Sequence, residues 1–409
     1  MTMFSRLEGI VIYLFWLGCL LNPTPSVLKL KLIVLLLIIV VLCLRLSISI
    51  TTLRLSPTYV TSVSIVTLMP IYGLIITALR GGFTGEFIDT SYLTSLLYFF
   101  PSFLYLFSDN KRKAIGAMLL SLRTISVLII LSYLALEGAY GLEAVYYFVS
   151  IGTAFIGMRE YGGLSFHYIY YIVSPMLVIL AAYDTNRFLS KQNFLSGVLL
   201  ATTILALFLS GTRANMLLSI LTPLLVFGWR YFGSFSIIFI GIVGVIGMTI
   251  AISATIPVFQ DMFDPTDVSN ETKLSYLTVY QTILSAPAVL LFGQGFNAHA
   301  WSPLVLGILP EGASKTELTY LEGIRVFGVL GFFPFLVVLF YVMIGKRIQR
   351  SEWGWMSPAL FVYFLASAFN PYIFSSNGML ILGLALSIFN GQYKNARPSC
   401  GDFNYAVRA

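Results

Sequence analysis

Two arginines stand beside glycines in the sequence, where a small backbone lets a ligand approach closely. Arg159 comes just before Gly162 and Gly163, and Arg213 ends the segment Ser210-Gly211-Thr212-Arg213. A planar guanidinium group matches the oxygens of a phosphate in a fixed geometry that the point charge of lysine does not provide. The two arginines therefore predict a site for a phosphate-containing anion. Each also has a structural interpretation, Arg159 as a surface pair with Glu160 and Arg213 as a helix end.

The segment from Thr316 to Gly331 supplies carboxylates for acid–base chemistry. Apart from Lys315, which is close by in the sequence, Glu317 has no basic residue three or four positions away on its own helix, so we predict that it accepts a proton as the general base. Glu322 and Arg325 are three residues apart and can pair on one helix face. The predicted catalytic residues are thus Glu317, Arg213 and Arg159. The predicted substrate contacts are Arg325, Tyr320, Glu322, His167 and Arg80.

Motifs for metals and nucleotides do not occur in the sequence. His167 and His299 are too far apart in the chain to indicate a zinc site, and no glycine loop is followed by Lys-Ser/Thr. The spacing of Asp261, Asp264 and Asp267 is compatible with a divalent cation, but it is more typical of a solvated acidic loop. We therefore expect neither a metal nor a cofactor.

The composition says which kind of fold must position these residues. Of the 409 residues, 58% are hydrophobic and 10% are charged, whereas a soluble domain has about 25% charged residues. The apolar runs are continuous, as membrane helices require, and do not alternate as in a barrel strand. At about 20 residues per span, the sequence predicts an all-α polytopic membrane protein with about twelve transmembrane helices. The predicted spans are 7–21, 28–46, 58–79, 91–107, 114–136, 168–183, 194–209, 214–229, 234–256, 319–344, 356–370 and 376–390.

The charge distribution indicates the orientation of these spans. If both termini are cytoplasmic, most of the 24 basic residues lie on the inside, as the positive-inside rule requires. The net charge of +7 is then explained by the basic residues of the cytoplasmic loops. It does not imply a nucleic-acid partner. Four regions follow: transmembrane helices 1–9 in 1–256, a large outer loop in 257–318, helices 10–12 in 319–390, and a cytoplasmic tail in 391–409.

Two outer segments are long, residues 137–167 and 257–318. The second contains apolar residues at helical spacing, which predict an amphipathic helix at the outer membrane surface. These residues are Leu274, Leu277, Tyr280, Ile283 and Leu284.

In their order along the chain and in the membrane side on which they are predicted to lie, these motifs resemble those of the O-antigen polymerase (Wzy) family, part of the O-antigen polymerase and ligase superfamily. The resemblance rests on Arg159 with its glycines, on Ser210 to Arg213, on Phe292-Gly293-Gln294-Gly295 in the long loop, and on Glu317 to Gly331. It implies a GT-C-type glycosyltransferase bundle in the bacterial inner membrane, with the long loop in the periplasm between spans 9 and 10. The implied reaction joins undecaprenyl-pyrophosphate-linked oligosaccharide units, and pyrophosphate lipid is the leaving group.

The resemblance also implies roles and partners. Arg159 and Arg213 match the family's phosphate-binding arginines, and membrane lipids and a chain-length regulator protein are the implied partners. The superfamily's ligases carry His-Asn where this chain has Glu317-Leu318, which favours a polymerase. An O-antigen ligase remains the closer alternative. A lipid-linked oligosaccharide flippase is an alternative from a different class, although such transporters are expected to place charges at mid-depth and to have similar halves.

Overall fold

The computed structural model describes residues 2–21, 30–49, 55–80, 91–161, 164–232, 268–296, 316–344, 353–370 and 372–395. Within these ranges the chain is mainly helical, with one pair of strands. The elements in order are α1 (Thr2–Leu21), α2 (Leu30–Ser49), α3 (Pro57–Leu79), α4 (Ser91–Leu97), α5 (Ser108–Gly138), α6 (Leu142–Ser150), β1 (Ala154–Tyr161), β2 (Leu164–Tyr171), α7 (Leu177–Lys191), α8 (Phe194–Leu209), α9 (Arg213–Phe232), α10 (Val268–Leu284), α11 (Pro287–Phe292), α12 (Thr319–Ile344), α13 (Met356–Ala366) and α14 (Ser376–Asn395).

Three helices of the described part are long and apolar enough to cross a membrane: α3, residues Asn110–Gly138 of α5, and α12. Their outward faces are apolar as well. On α3, Leu68, Ile71 and Ile75 are each about half exposed and lie on one face of the helix. Large apolar stripes of this kind are suited to contact with hydrocarbon and not with water. The chain is therefore a membrane protein.

The predicted spans coincide with helices over most of the described chain. Span 91–107 is divided, because α4 ends at Leu97 and a 3-10 helix, Phe100–Leu106, follows with Pro101 in its first turn. The last helix continues beyond the predicted end at 390 to Asn395, into the region predicted as tail. The span predicted at 234–256 lies outside the described residues, as do 257–267 and 297–315 of the long loop.

Helix α7 lies at the centre of the bundle. Its residues from Leu177 to Ala182 are all buried, and the helix packs against α8, α9 and α13. One polar network crosses this core. Arg123 of α5 forms an ion pair with the buried Asp184 at 2.5 Å and donates to Thr203 Oγ1 at 2.8 Å. A buried carboxylate requires such partners, so the network ties α5, α7 and α8 together.

The main departure from the sequence prediction is a β-hairpin at 154–171. Span six was predicted to begin at 168 after a plain loop, but β2 continues through Tyr171 and the helix begins only at Leu177. The strands pair antiparallel with Arg159 opposite Phe166 and Gly157 opposite Tyr168. Because directly opposite residues share a sheet face, Arg159 and Tyr168 lie on one face, and His167 lies on the other.

Helix α10 lies in the predicted long loop, and only part of its predicted apolar face is buried. Tyr276 and Tyr280 are buried, whereas Leu274 and Leu277 are about half exposed. The tyrosines pack with Leu318, just before α12. The sequence pattern was misleading because α10 carries apolar residues both toward α12 and away from the protein.

Candidate functional site

The segment Ser210 to Arg213 forms a tight junction between α8 and α9. Gly211 adopts a left-handed backbone with φ of 68°, a conformation that glycine adopts without strain. The Oγ1 atom of Thr212 accepts the backbone N–H of Asn215 at 3.2 Å and caps α9. The amide of Asn215 donates to Ser210 Oγ at 2.8 Å. The junction therefore fixes Arg213 at the first position of a 20-residue helix, whose positive dipole end favours an anion.

Arg159 is held on the hairpin by an aromatic ring. Its guanidinium carbon lies 5.3 Å from the centroid of the Tyr168 ring, within the range of a cation–π contact. The side of Tyr168 also contacts Gly211, where an added Cβ would overlap it. Through Tyr168, the hairpin thus connects the Arg159 segment to the Arg213 segment.

The first turns of α10 connect Arg213 to Glu317. Arg213 Nη1 donates to Asn270 Oδ1 at 2.8 Å. One turn further on, Lys273 Nζ lies 3.5 Å from Glu317 Oε2. The site that results runs from Arg159 through Tyr168 and Arg213 to Glu317, with α10 along one side.

The side chain of Glu317, the predicted general base, is exposed to solvent and is not desolvated. Its side chain is 56% exposed, and its ion-pair partner Lys273 comes from α10, whereas Glu317 itself lies just before α12. The sequence offered Lys315 as the nearby basic residue, but it could not show Lys273, which is distant in the chain and is brought to Glu317 by the fold. An open carboxylate of this kind remains able to contact a substrate hydroxyl.

Two tyrosines line the same region beside Glu317. Tyr170 of β2 and Tyr372, which precedes α14, lie with their hydroxyls 3.0 Å apart. Burial raises the pKa of Tyr170 to about 12 and raises the pKa of Tyr372 well above its ordinary value. Both phenols are therefore protonated at neutral pH, so they offer hydrogen bonds and do not compete with Glu317 as bases.

Glu322 and Arg325 of α12 form a buried ion pair with each other. Arg325 Nη2 donates to Glu322 Oε1 at 2.6 Å, and its Nε donates to Oε2 at 3.0 Å. Tyr280 of α10 also donates to Glu322 Oε2, at 2.7 Å. Both charged side chains are almost fully buried. They were predicted to contact the substrate, but the structure places them in a network that joins α10 to α12.

The segment Phe292-Gly293-Gln294-Gly295 of the long loop contacts α12 through its backbone. The N–H groups of Gln294 and Gly295 donate to the carbonyls of Arg325 and Val326, at 2.7 and 2.9 Å. Gly328 has φ of 62°, and a Cβ on it would overlap the Leu291 carbonyl. These glycines therefore let the loop backbone pack directly onto α12 and fix the position of the buried pair.

Three other residues that were predicted to contact the substrate bond to groups other than Arg159 and Arg213. Tyr320 donates to the Phe364 carbonyl at 2.7 Å, and Arg80 donates to the Ala288 carbonyl at 3.0 Å. His167 lies on the opposite face of the hairpin, where its Nδ1 is 3.2 Å from Glu137 Oε1. These side chains connect helices to each other and to the hairpin.

Sequence reasoning missed the residues that connect the site, namely Tyr168, Asn270 and Lys273. Tyr168 belonged to an apolar run, Lys273 belonged to the polar face of the predicted loop helix, and Asn270 had no visible partner in the sequence. The hairpin did leave a signal, since aromatic residues flank the Gly162-Gly163 pair that separates the two strands.

The described residues include no group of three or more His, Cys, Asp and Glu side chains placed to hold a metal ion. Comparisons of the chain with protein-family models, with curated proteins and with solved structures give no match.

Proposed function

We propose that the protein is a membrane glycosyltransferase that polymerises lipid-pyrophosphate-linked oligosaccharide units, as the family resemblance implies. The observation that carries the proposal is the connected arrangement of Arg159, Arg213 and Glu317. These residues come from three distant parts of the chain, and contacts through Tyr168 and α10 join them. Two guanidinium groups and a carboxylate are the groups that a glycosyl transfer with an anionic leaving group requires.

In the proposed reaction, a sugar hydroxyl of one lipid-linked unit attacks the anomeric carbon of the growing glycan. The new C–O bond forms as the bond from that carbon to the pyrophosphate oxygen breaks. Glu317 takes the proton of the attacking hydroxyl, and the bond electrons leave with the pyrophosphate lipid. Arg159 and Arg213 stabilise the negative charge that develops on the leaving group. The proposal needs neither a nucleotide sugar nor a metal.

The proposed setting is the bacterial inner membrane, with about twelve spans, a GT-C-type bundle and both termini in the cytoplasm. In this orientation the hairpin, the Arg213 junction and α10 lie on the periplasmic side. The apolar residues that α10 directs away from α12, Leu274 and Leu277, suit a helix at the outer membrane surface.

Incubation of the purified protein with lipid-linked repeat units alone tests the proposal against the ligase alternative. A polymerase converts the units into a ladder of longer glycans without any other acceptor. A ligase leaves the units unjoined until a lipid A core acceptor is added, and that result would refute the polymerase assignment.

Deletion of the gene separates a polymerase from a flippase. Without the polymerase, cells lose long polysaccharide chains but retain single capped units, because each unit still reaches the outer leaflet. Accumulation of uncapped units on the inner leaflet would instead identify a transport defect.

A further inference from the structure

Tyr168 contacts both arginine segments of the proposed site. Its ring lies across Gly157 on the paired strand, and its Cβ lies against Gly211 in the α8–α9 junction. At either glycine, an added Cβ would overlap Tyr168. Two glycines in separate segments therefore make room for one phenol ring.

The same ring orients Arg159. The guanidinium carbon lies 5.3 Å from the ring centroid, and Arg159 Nε is buried with no hydrogen-bond partner among the residues that the structure describes. A cation over an aromatic face is attracted by the ring quadrupole, and this attraction strengthens as water is excluded. The ring thus holds the guanidinium on the sheet face that also meets the Arg213 junction.

We infer that Tyr168 is a positioning residue that holds Arg159 beside Arg213 so that both guanidinium groups bind one pyrophosphate. The inference rests on the proposed function and adds a residue to it. Tyr168 acts through its ring and not through its hydroxyl. Phenylalanine should therefore replace it, and an aliphatic residue of similar size should not.

Three variants of the full-length protein test the inference: Tyr168→Leu, Tyr168→Phe and Arg159→Ala. Calorimetric titration with inorganic pyrophosphate gives Kd, and assays with lipid-linked repeat units give kcat and KM. We expect Tyr168→Leu to weaken pyrophosphate binding and to raise KM by about tenfold, the scale of a partly desolvated cation–π contact. Tyr168→Phe should retain binding within about threefold. Tyr147→Leu, which replaces an exposed tyrosine of α6, is the matched control.

The double variant Arg159→Ala with Tyr168→Leu distinguishes positioning from packing. If Tyr168 acts through Arg159, the double variant binds pyrophosphate no more weakly than Arg159→Ala alone. Fully additive losses, or a Tyr168→Phe variant as weak as Tyr168→Leu, would overturn the inference. Thermal unfolding midpoints of all variants show whether a loss comes from folding, and the folded Tyr168→Phe variant decides the case if Tyr168→Leu is unstable.

The same measurements distinguish failure of the polymerase assignment from failure of the positioning role of Tyr168. If the wild-type protein binds pyrophosphate with this dependence on Tyr168 but joins no repeat units, the polymerase assignment fails and the positioning role stands. If the wild-type protein joins units but shows none of this dependence, the positioning role fails alone.

Discussion

At the scale of single residues, the contacts of each charged group show which of the predicted site residues are accessible to a substrate. The sequence predicted Arg213 as a catalytic residue and Arg325 as a substrate contact that can also pair with Glu322. Arg325 is fully buried, with both Nε and Nη2 bonded to Glu322, whereas Arg213 is partly exposed at a helix start and meets an amide oxygen. Because Arg213 is partly accessible and stands at the positive end of the α9 dipole, it is the better candidate to bind an anion.

We predict that Arg213→Lys lowers polymerisation about 100-fold, because an ammonium group lacks the fork that binds two phosphate oxygens. The measurement is the rate of glycan elongation by the purified variant. Arg230→Lys is the control, since Arg230 lies near the opposite end of the same helix and bonds to Ser190. Equal rates for wild type and Arg213→Lys would exclude bidentate binding by Arg213.

The buried pair makes a different prediction. Arg325→Met leaves the Glu322 carboxylate buried without its cation, which costs about 3–5 kcal/mol of stability. The double variant Glu322→Met with Arg325→Met should recover part of this loss, because no buried charge remains. The midpoint of thermal unfolding in detergent measures the stability of the single and of the double variant. A single variant as stable as the wild type would show that the pair does not support the α10–α12 contact.

At the scale of elements, the hairpin and the α8–α9 junction form one unit. The stacked rings of Phe166 and Phe208 join β2 to the end of α8, and Tyr168 joins the same strand to Gly211. Tyr170 continues the contact to Tyr372. Alternate residues of β2 therefore dock the strand along the whole site.

Substitution of Gly211 should disturb this unit. Gly211→Ala introduces a side chain at a positive φ, which costs about 1–2 kcal/mol, and also displaces Tyr168. We expect a lower unfolding midpoint and a loss of polymerisation. Gly116→Ala is the matched control, because a Cβ at Gly116 in α5 meets nothing within 4 Å and alanine favours a helix. If the two variants behaved alike, the close contact at Gly211 would be unimportant.

At the scale of the whole molecule, membrane helices follow from sequence because their length and apolarity are local properties. The span predicted at 58–79 agrees closely with α3. The span predicted at 319–344 has the bounds of α12, but the non-helical backbone of Gly328 divides that helix. The run beginning at 168 misled the prediction, because apolar aromatic residues suit a strand as well as a helix. The pairs Arg213–Asn270 and Lys273–Glu317 could not be predicted, since each joins segments that only the fold brings together.

Labelling of single cysteines tests the proposed orientation. In a variant without Cys19, Cys43 and Cys400, we expect a membrane-impermeant maleimide to label Tyr140→Cys in intact cells, because this exposed position lies on the outer side in the proposed orientation. Lys191→Cys should react only after the cells are opened, since the end of α7 faces the cytoplasm in the positive-inside arrangement. The reverse labelling pattern would place the candidate site on the cytoplasmic side.

The most direct test of the central claim is the reconstituted reaction of wild-type protein and Arg213→Ala with lipid-pyrophosphate-linked repeat units in the presence of EDTA. The account predicts a ladder of extended glycans from the wild type, with one pyrophosphate lipid released for each linkage formed, and no ladder from Arg213→Ala. A folded wild-type protein that releases no pyrophosphate lipid and extends no glycan would contradict it.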